Sequence, residues 1–390
     1  MLRWISMALF CLKCVTAYPA DPIDISIGYL QREVPPPAVL SNLDPLPEDE
    51  GLAGARLGLA DNATTGRFLG HNYTLEEQIV AQDGDILAAA RTMLAQSKLL
   101  LLDMPKDDLL AIADLPEAKD AVLFNVSDAD NGLRRDACRA NLLHTLPSRA
   151  MLADSLAQFA VWKKWPRWAL VAGAREGDQA FAAALEQSAT KFRLRLVERK
   201  DWTFDADMRR NAAREVPLFT QDLPDHDMLI IADEADDYAR YIAYQTWQPR
   251  PVAGSSGLTP VAWSRVVEQH GAAQLQSRFA KLAERSMRSI DYAAWAAVRS
   301  VGEAVTRTAT GEVTTLRDYM LGEQFELAGF KGRKLTFRTW NGQLRQPIPL
   351  VTQRAVVALA PLEGFLHQFN ELDTLGVDRP ESSCAAFGSQ

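Results

Sequence analysis

The residues best equipped for chemistry in this 390-residue chain lack the spacings that catalysis requires. The five histidines, at 71, 144, 226, 270 and 367, include no helical i, i+4 pair, so no turn of helix offers two imidazoles to one metal ion. There is no glycine-rich phosphate loop, no GxSxG nucleophile elbow and no HExxH. The acidic run Asp233-Glu234-Ala235-Asp236-Asp237 lacks the pattern of a calcium loop and suits the start of a helix, which favours negative charge. These residues therefore predict no enzyme, no metal site and no required cofactor. They point to recognition instead, with Lys106, Arg149 and Arg175 as fixed cations, the arginines matching carboxylates in bidentate geometry.

The elements that must position such groups alternate between apolar strands and amphipathic helices. Residues 23–30 read as a strand, followed by a proline-rich loop (Pro35, Pro36, Pro37, Pro45, Pro47) and a short helix-like or turn-rich stretch at 51–58. Strands at 75–80, 98–103 and 121–125 alternate with helices at 86–95 and 109–113. The second half repeats the rhythm, with strands at 168–171, 193–198, 228–232 and 251–254. Helices at 151–164 (Ser148 as N-cap), 178–191 and 237–246 accompany them. A helix at 292–308 and a hairpin turning at Asn341-Gly342 close the pattern. The fold class expected is α/β, with two lobes that are each a mainly parallel sheet flanked by helices.

In open α/β sheets ligands sit beyond the carboxyl ends of the strands. That rule selects Asp103, Lys106, Asn125, Ser127, Ser148, Arg149, Arg175, Asp178, Glu234, Ser255 and Ser256 as ligand-binding candidates. The segment 145–149 opens a helix, whose free N–H groups suit an anion. Trp162, Trp165 and Trp168 read as packing or lobe surface, whereas Trp202, Trp247 or Trp263 could stack on a flat ligand.

The N-terminus has the layout of a secretory signal over residues 1–20: Arg3, a short apolar stretch from Trp4 to Leu12, then small residues with Ala17 or Ala20 at the cleavage point. Lys13 before Cys14 argues against a lipoprotein anchor. Loss of Arg3 and Lys13 leaves 40 basic against 50 acidic residues, a net charge of −10, with no basic block for nucleic acid. Cys138 and Cys384 then remain; in an oxidising compartment one disulfide is expected, two separate thiols being the alternative.

The segments His144-Thr145-Leu146-Pro147-Ser148-Arg149, Asp291-Tyr292-Ala293-Ala294-Trp295 and Trp340-Asn341-Gly342, with the strand-helix order, resemble the branched-chain-amino-acid type of periplasmic binding protein (type I). Cys138-Arg139-Ala140-Asn141, Pro147 to Leu152, Gly364 to Gln368 and Glu371 to Gly376 resemble the subfamily associated with alcohol oxidation dependent on pyrroloquinoline quinone (PQQ). The resemblance implies three crossovers, near residues 145, 270 and 335. Lobe 1 would hold 23–145 plus 270–335, lobe 2 would hold 146–269 plus 336–384, and 385–390 would form an irregular tail. It further implies a periplasmic ABC-transporter component, an inner-membrane permease as partner, a small-molecule ligand and a functional link to a PQQ-dependent alcohol dehydrogenase. The alternatives are a sensor or receptor component, or a cofactor chaperone, without an import role. Amino-acid binders of the family use a serine/threonine-rich loop in one lobe and an acid in the other. The matching stretches here are Asp103-Met104-Pro105-Lys106 and Gly254-Ser255-Ser256-Gly257. With Lys106, Arg149 and Arg175 nearby, the ligand expected is anionic, and PQQ, a tricarboxylate, leads as the bound molecule.

Overall fold

The computed structural model describes residues 22–35, 46–203 and 208–388. The expected signal, with Cys11 and Cys14, lies outside the described residues, as do Pro36, Pro37, Pro45 and the last two positions of the tail.

Five parallel strands form the first sheet: Ile23–Arg32 (β1), His71–Val80 (β2), Leu99–Asp103 (β3), Val122–Asn125 (β4) and Leu142–His144 (β5), in the order β2-β1-β3-β4-β5. The run LLLLD makes β3 a central strand because both its faces are covered. Tyr29, Leu99, Leu101 and Phe124 face one layer, built from Leu52–Leu69 (α1) and two later helices. Leu30, Leu100, Leu102 and Leu123 face the other, built from Ile86–Gln96 (α2) and Lys106–Ala113 (α3).

The second sheet is also parallel, with Arg167–Ala172 (β6), Arg195–Asp201 (β7), Met228–Ala232 (β8) and Val252–Gly254 (β9) in the order β7-β6-β8-β9. Trp168, Leu170 and Ile230 pack on Arg149–Lys163 (α4) and Glu176–Lys191 (α5). Ala169, Val171, Leu229 and Ile231 pack towards Met208–Thr220 (α6) and Ala239–Ile242 (α7). Thr259–Pro260 (β10) then leads back to the first lobe. There Ala272–Ala283 (α8) and Ser289–Thr308 (α9) join α1, and Val313–Leu321 (α10) packs against α9. Three short antiparallel strands follow, Leu327–Ala328 (β11), Lys334–Phe337 (β12) and Leu344–Arg345 (β13), before the chain returns through Ile348–Val351 (β14) and Val356–Ala360 (β15).

Core membership shifts two of the expected crossovers. Ala262, Trp263 and Val267 are buried with the first lobe, so the second passage falls before residue 270. Phe337 and Leu344 also belong there, whereas Ile348 and Leu350 pack in the second lobe, so the third passage lies past 335. The stretch at 51–58 grows into α1, which runs to Leu69 because Gly54 and Gly58 let it lie directly on α9. A Cβ on Gly54 would meet the Asp291 carbonyl at 1.9 Å. The helix expected at 237–246 contracts to α7. The Asp233 carboxylate takes the N–H groups of Asp237, Tyr238 and Ala239, which holds a turn where the helix was to begin.

The crossovers meet in a buried polar network. Arg134 donates to Gln343 Oε1 at 2.9 Å and to the carbonyls of Asp128, Asp130 and Leu146. Gln343 Nε2 reaches the carbonyls of His144 and Leu146, and Gln346 Nε2 that of Thr145 at 2.8 Å. Lys331, also buried, donates to Gln346 Oε1 at 2.5 Å above the Tyr292 ring, and burial pushes its ammonium well below the ordinary lysine pKa. Cys138 and Cys384 are joined as a disulfide with Cα atoms 5.7 Å apart, tying the C-terminal segment to the first lobe. Among the described residues no helix is long and apolar enough to cross a membrane.

Candidate functional site

Between the carboxyl ends of the two parallel sheets lies a cleft of about 1490 Å³. Its first wall starts from β1 and β3, whose paired residues Gln31 and Asp103 stand side by side at the strand ends. The Asp103 carboxylate accepts the Tyr29 hydroxyl at 2.7 Å and a further hydrogen bond from Ser127. No cation is paired with it among the described residues. Burial holds its carboxyl above the usual carboxylate range, and the two hydroxyls offset part of that rise. Gln31 Oε1 is buried and receives no hydrogen bond from any described residue.

The turn before α1 completes this wall. Gly51 takes φ +83°, and a Cβ there would meet the Tyr29 hydroxyl at 2.5 Å and Asp103 Oδ2 at 3.2 Å. Asp291, fully buried at the start of α9, fixes the turn by accepting Gly51 N–H at 2.8 Å and both terminal nitrogens of Arg285 at 2.7 and 2.9 Å. Glu50 is thereby set on the cleft wall, 3.2 Å from Arg288. Burial pushes its carboxyl up to about 7, with Arg288 opposing and Asp291 reinforcing the rise.

The second wall is built from the ends of β8 and β9 and the start of α4. Asp233 is buried and engaged with backbone N–H groups, and its own N–H donates to Ser255 Oγ at 2.8 Å. Arg149, the first residue of α4, makes two 2.7 Å bonds to Glu234. Leu146, Leu152 and Phe181 supply apolar surface.

No family model matches the chain, and no curated protein matches it. Solved structures do. A branched-chain amino acid ABC transporter periplasmic ligand-binding protein of Burkholderia xenovorans LB400 superposes with TM-score 0.71 at 15% identity, over 93% of this chain and 100% of that one. A periplasmic binding protein of Burkholderia mallei gives 0.67 at 14% identity, over 94% and 100%. A solute-binding protein of an ABC transporter from R. palustris, solved in complex with benzoate, gives 0.62 at 11%, over 93% and 99%. The fold is that of the two-lobed type I periplasmic binding proteins.

Within this type I fold the residues chosen from the sequence divide into two groups. Asp103, Ser127, Arg149, Glu234 and Ser255 line the cleft together. The others do not. Asn125 is buried, bonding the Asp128 carbonyl, the Ser127 and Asp128 N–H groups and His144 Nδ1. Ser148 is buried as the N-cap of α4, accepting Met151 N–H at 3.3 Å. Asp178 accepts the N–H groups of Arg175 and Glu234, bracing the second wall from behind. Ser256 lies outside the lining.

The cations need the largest correction. Lys106 pairs with Asp130 at 2.9 Å, Arg175 with Asp237 at 2.7 Å and Arg149 with Glu234, so none of the three presents a free charge to a ligand. Trp202 and Trp263 are buried, stacked on Tyr238 and Tyr292 at 4.6 and 4.8 Å between ring centres, and Trp247 does not line the cleft. The lining aromatic is Phe181. Tyr29, Gln31 and Glu50 were missed from the sequence. Gln31 lies just past the strand expected at 23–30, which runs two residues further. Tyr29 lies inside that strand and joins the site only through its bond to Asp103, and Glu50 sits in a turn that owes its position to Asp291, far along the chain.

Proposed function

We propose that this chain is the periplasmic solute-binding component of an ABC transporter, holding a small molecule between its lobes and performing no chemistry on it. The observation that carries this reading is the cleft itself. It opens between the carboxyl ends of both parallel sheets, it is lined from both lobes, and three chain passages behind it can serve as a hinge. The solved relatives with this fold are described as ligand-binding or solute-binding proteins of ABC transporters, which agrees with a permease as partner and a periplasmic location. The link to PQQ-dependent alcohol oxidation rests on the resemblance of the segments around Cys138, Pro147 and Glu371, and it names a pathway. PQQ as the bound molecule rested on the subfamily resemblance, the missing amino-acid determinants and three basic residues; those residues are engaged in ion pairs, which removes the last of these supports.

The test is a thermal-shift screen of the purified mature protein against a broad metabolite set, with hits followed by calorimetry. A saturable ligand that raises the melting temperature and is recovered unaltered is the expected result. Chemical conversion of the hit, or stabilisation by no compound in the set, would sink the reading.

A further inference from the structure

Among the described residues the charge of the cleft wall is lopsided: eight carboxylates line it against two guanidiniums. Both guanidiniums are engaged, Arg32 with Asp108 and the carbonyls of Gln82 and Gly84, and Arg149 with Glu234. Among the carboxylates, Glu234 has Arg149, Asp236 has Arg240, Glu50 has Arg288, and Asp233 is satisfied by backbone N–H groups. Glu33 and Glu48 are exposed to solvent and Asp128 accepts the Asp130 N–H, whereas the largely buried Asp103 has only neutral hydroxyls. Beside it, across one strand pair, the buried Gln31 Oε1 receives no hydrogen bond from any described residue. A carboxylate without a cation and an acceptor without a donor stand together on one wall. A single group completes both, a positively charged nitrogen that still carries N–H.

We propose that the cleft selects ligands bearing a protonated amine on an apolar body, with the nitrogen seated between Asp103 and Gln31 of the first lobe. This rests on the solute-binding reading and names its ligand class. The apolar body has its surface in Ile79, Met104, Leu146, Leu152, Phe181 and Ile290. An isolated carboxylate ligand would bring like charge to this wall and leave Gln31 Oε1 unpaired, both unfavourable beside a largely buried carboxylate. The N–H requirement separates this site from one for quaternary ammonium, which can satisfy the charge of Asp103 but not the acceptor of Gln31.

The experiment uses matched probes on three bodies, n-butyl, isopentyl and 2-phenylethyl. Each is offered to the mature protein as the primary amine, the trimethylammonium, the alcohol and the chain-matched carboxylate, with PQQ and leucine alongside, in calorimetry at one pH and ionic strength. Amines should bind tightest on at least one body. Asp103→Asn, which keeps an acceptor for the Tyr29 hydroxyl, should weaken that amine by about tenfold to a hundredfold, the range of a charge-assisted hydrogen bond. Gln31→Met is the second variant; it should weaken the amine and leave the trimethylammonium unchanged. Tighter binding of carboxylates or PQQ than of amines overturns the assignment and leaves the solute-binding reading standing, as does amine binding indifferent to both variants. Absence of binding by every amine overturns the assignment too, while the metabolite screen judges the solute-binding reading independently.

Discussion

Glu50 carries the sharpest residue-scale consequence of this architecture. Its carboxyl is pushed up to about 7 by burial, against an unfolded value of about 4.3. The folded protein therefore keeps a proton that the unfolded chain releases between those values. Where the native state binds more protons, stability falls as pH rises, so the loss runs from about pH 4 to about pH 7 and levels off above. Glu50→Gln cannot ionise and removes this term. Its stability relative to the parent should rise by roughly 1–3 kcal/mol between pH 4 and pH 8, read from urea denaturation at both values. A difference that stays constant across that interval would show that burial does not govern Glu50. At this scale the sequence was a partial guide. Asp103, Ser127, Arg149, Glu234 and Ser255 were reachable because strand ends can be located from apolar runs. Whether a charge is free was not legible. The partners of Lys106, Arg149 and Arg175 are Asp130, Glu234 and Asp237, and the last two pairs join residues more than sixty positions apart.

At the scale of elements, the C-terminal segment fastens the last crossover. Asp373, buried in the short turn after Asn370, accepts Arg338 Nε from beside β12 and Arg345 Nε from β13, both at 2.8 Å. Arg338 is itself buried and also donates to the carbonyls of Leu372, Leu375 and Val377. Removing the one carboxylate would strand two guanidiniums, one of them with no access to water. Asp373→Ala should therefore cost about 3–5 kcal/mol of unfolding free energy, the range for breaking a buried pair from one side. A loss below about 1 kcal/mol in chemical denaturation would mean the backbone carbonyls alone satisfy Arg338. This clamp was not visible in the sequence, because Asp373 lies 35 positions from Arg338 and 28 from Arg345, and nothing local pairs them. The strands and helices that make the two sheets were visible, because runs such as LLLLD and MLIIA admit few other environments. The β12–β13 turn was visible too, through Asn341-Gly342. The α8 and α6 helices were not anticipated, although Ala272, Leu275 and Phe279 in α8 and Ala212, Val216 and Thr220 in α6 recur at helical spacing; Pro217 obscures the second.

For the whole molecule, charge and motion become one problem. The wall from the first lobe carries Glu33, Glu48 and Asp103, and the wall from the second carries Asp233, none of them paired with a cation among the described residues. The proposed hinge closure would bring these walls together, so in the absence of a bound cation it would work against like-charge repulsion, within a chain whose full length already has a net charge of −8. Repulsion of this kind is screened by salt, with a Debye length of about 30 Å at 0.01 M falling to about 3 Å at 1 M. The ligand-free protein should accordingly become more compact as salt is raised over that interval, and small-angle scattering should register a falling radius of gyration. Salt acts here without a ligand, so the result does not depend on which amine, if any, is the natural cargo. An amine that binds should produce a comparable compaction at low salt, and Asp103→Asn should reduce the salt response by removing one of the repelling charges. A radius of gyration indifferent to salt, yet decreasing on ligand binding, would show that closure is governed by packing of the crossover network around Arg134, Gln343 and Gln346, with cleft charge acting only on the choice of ligand.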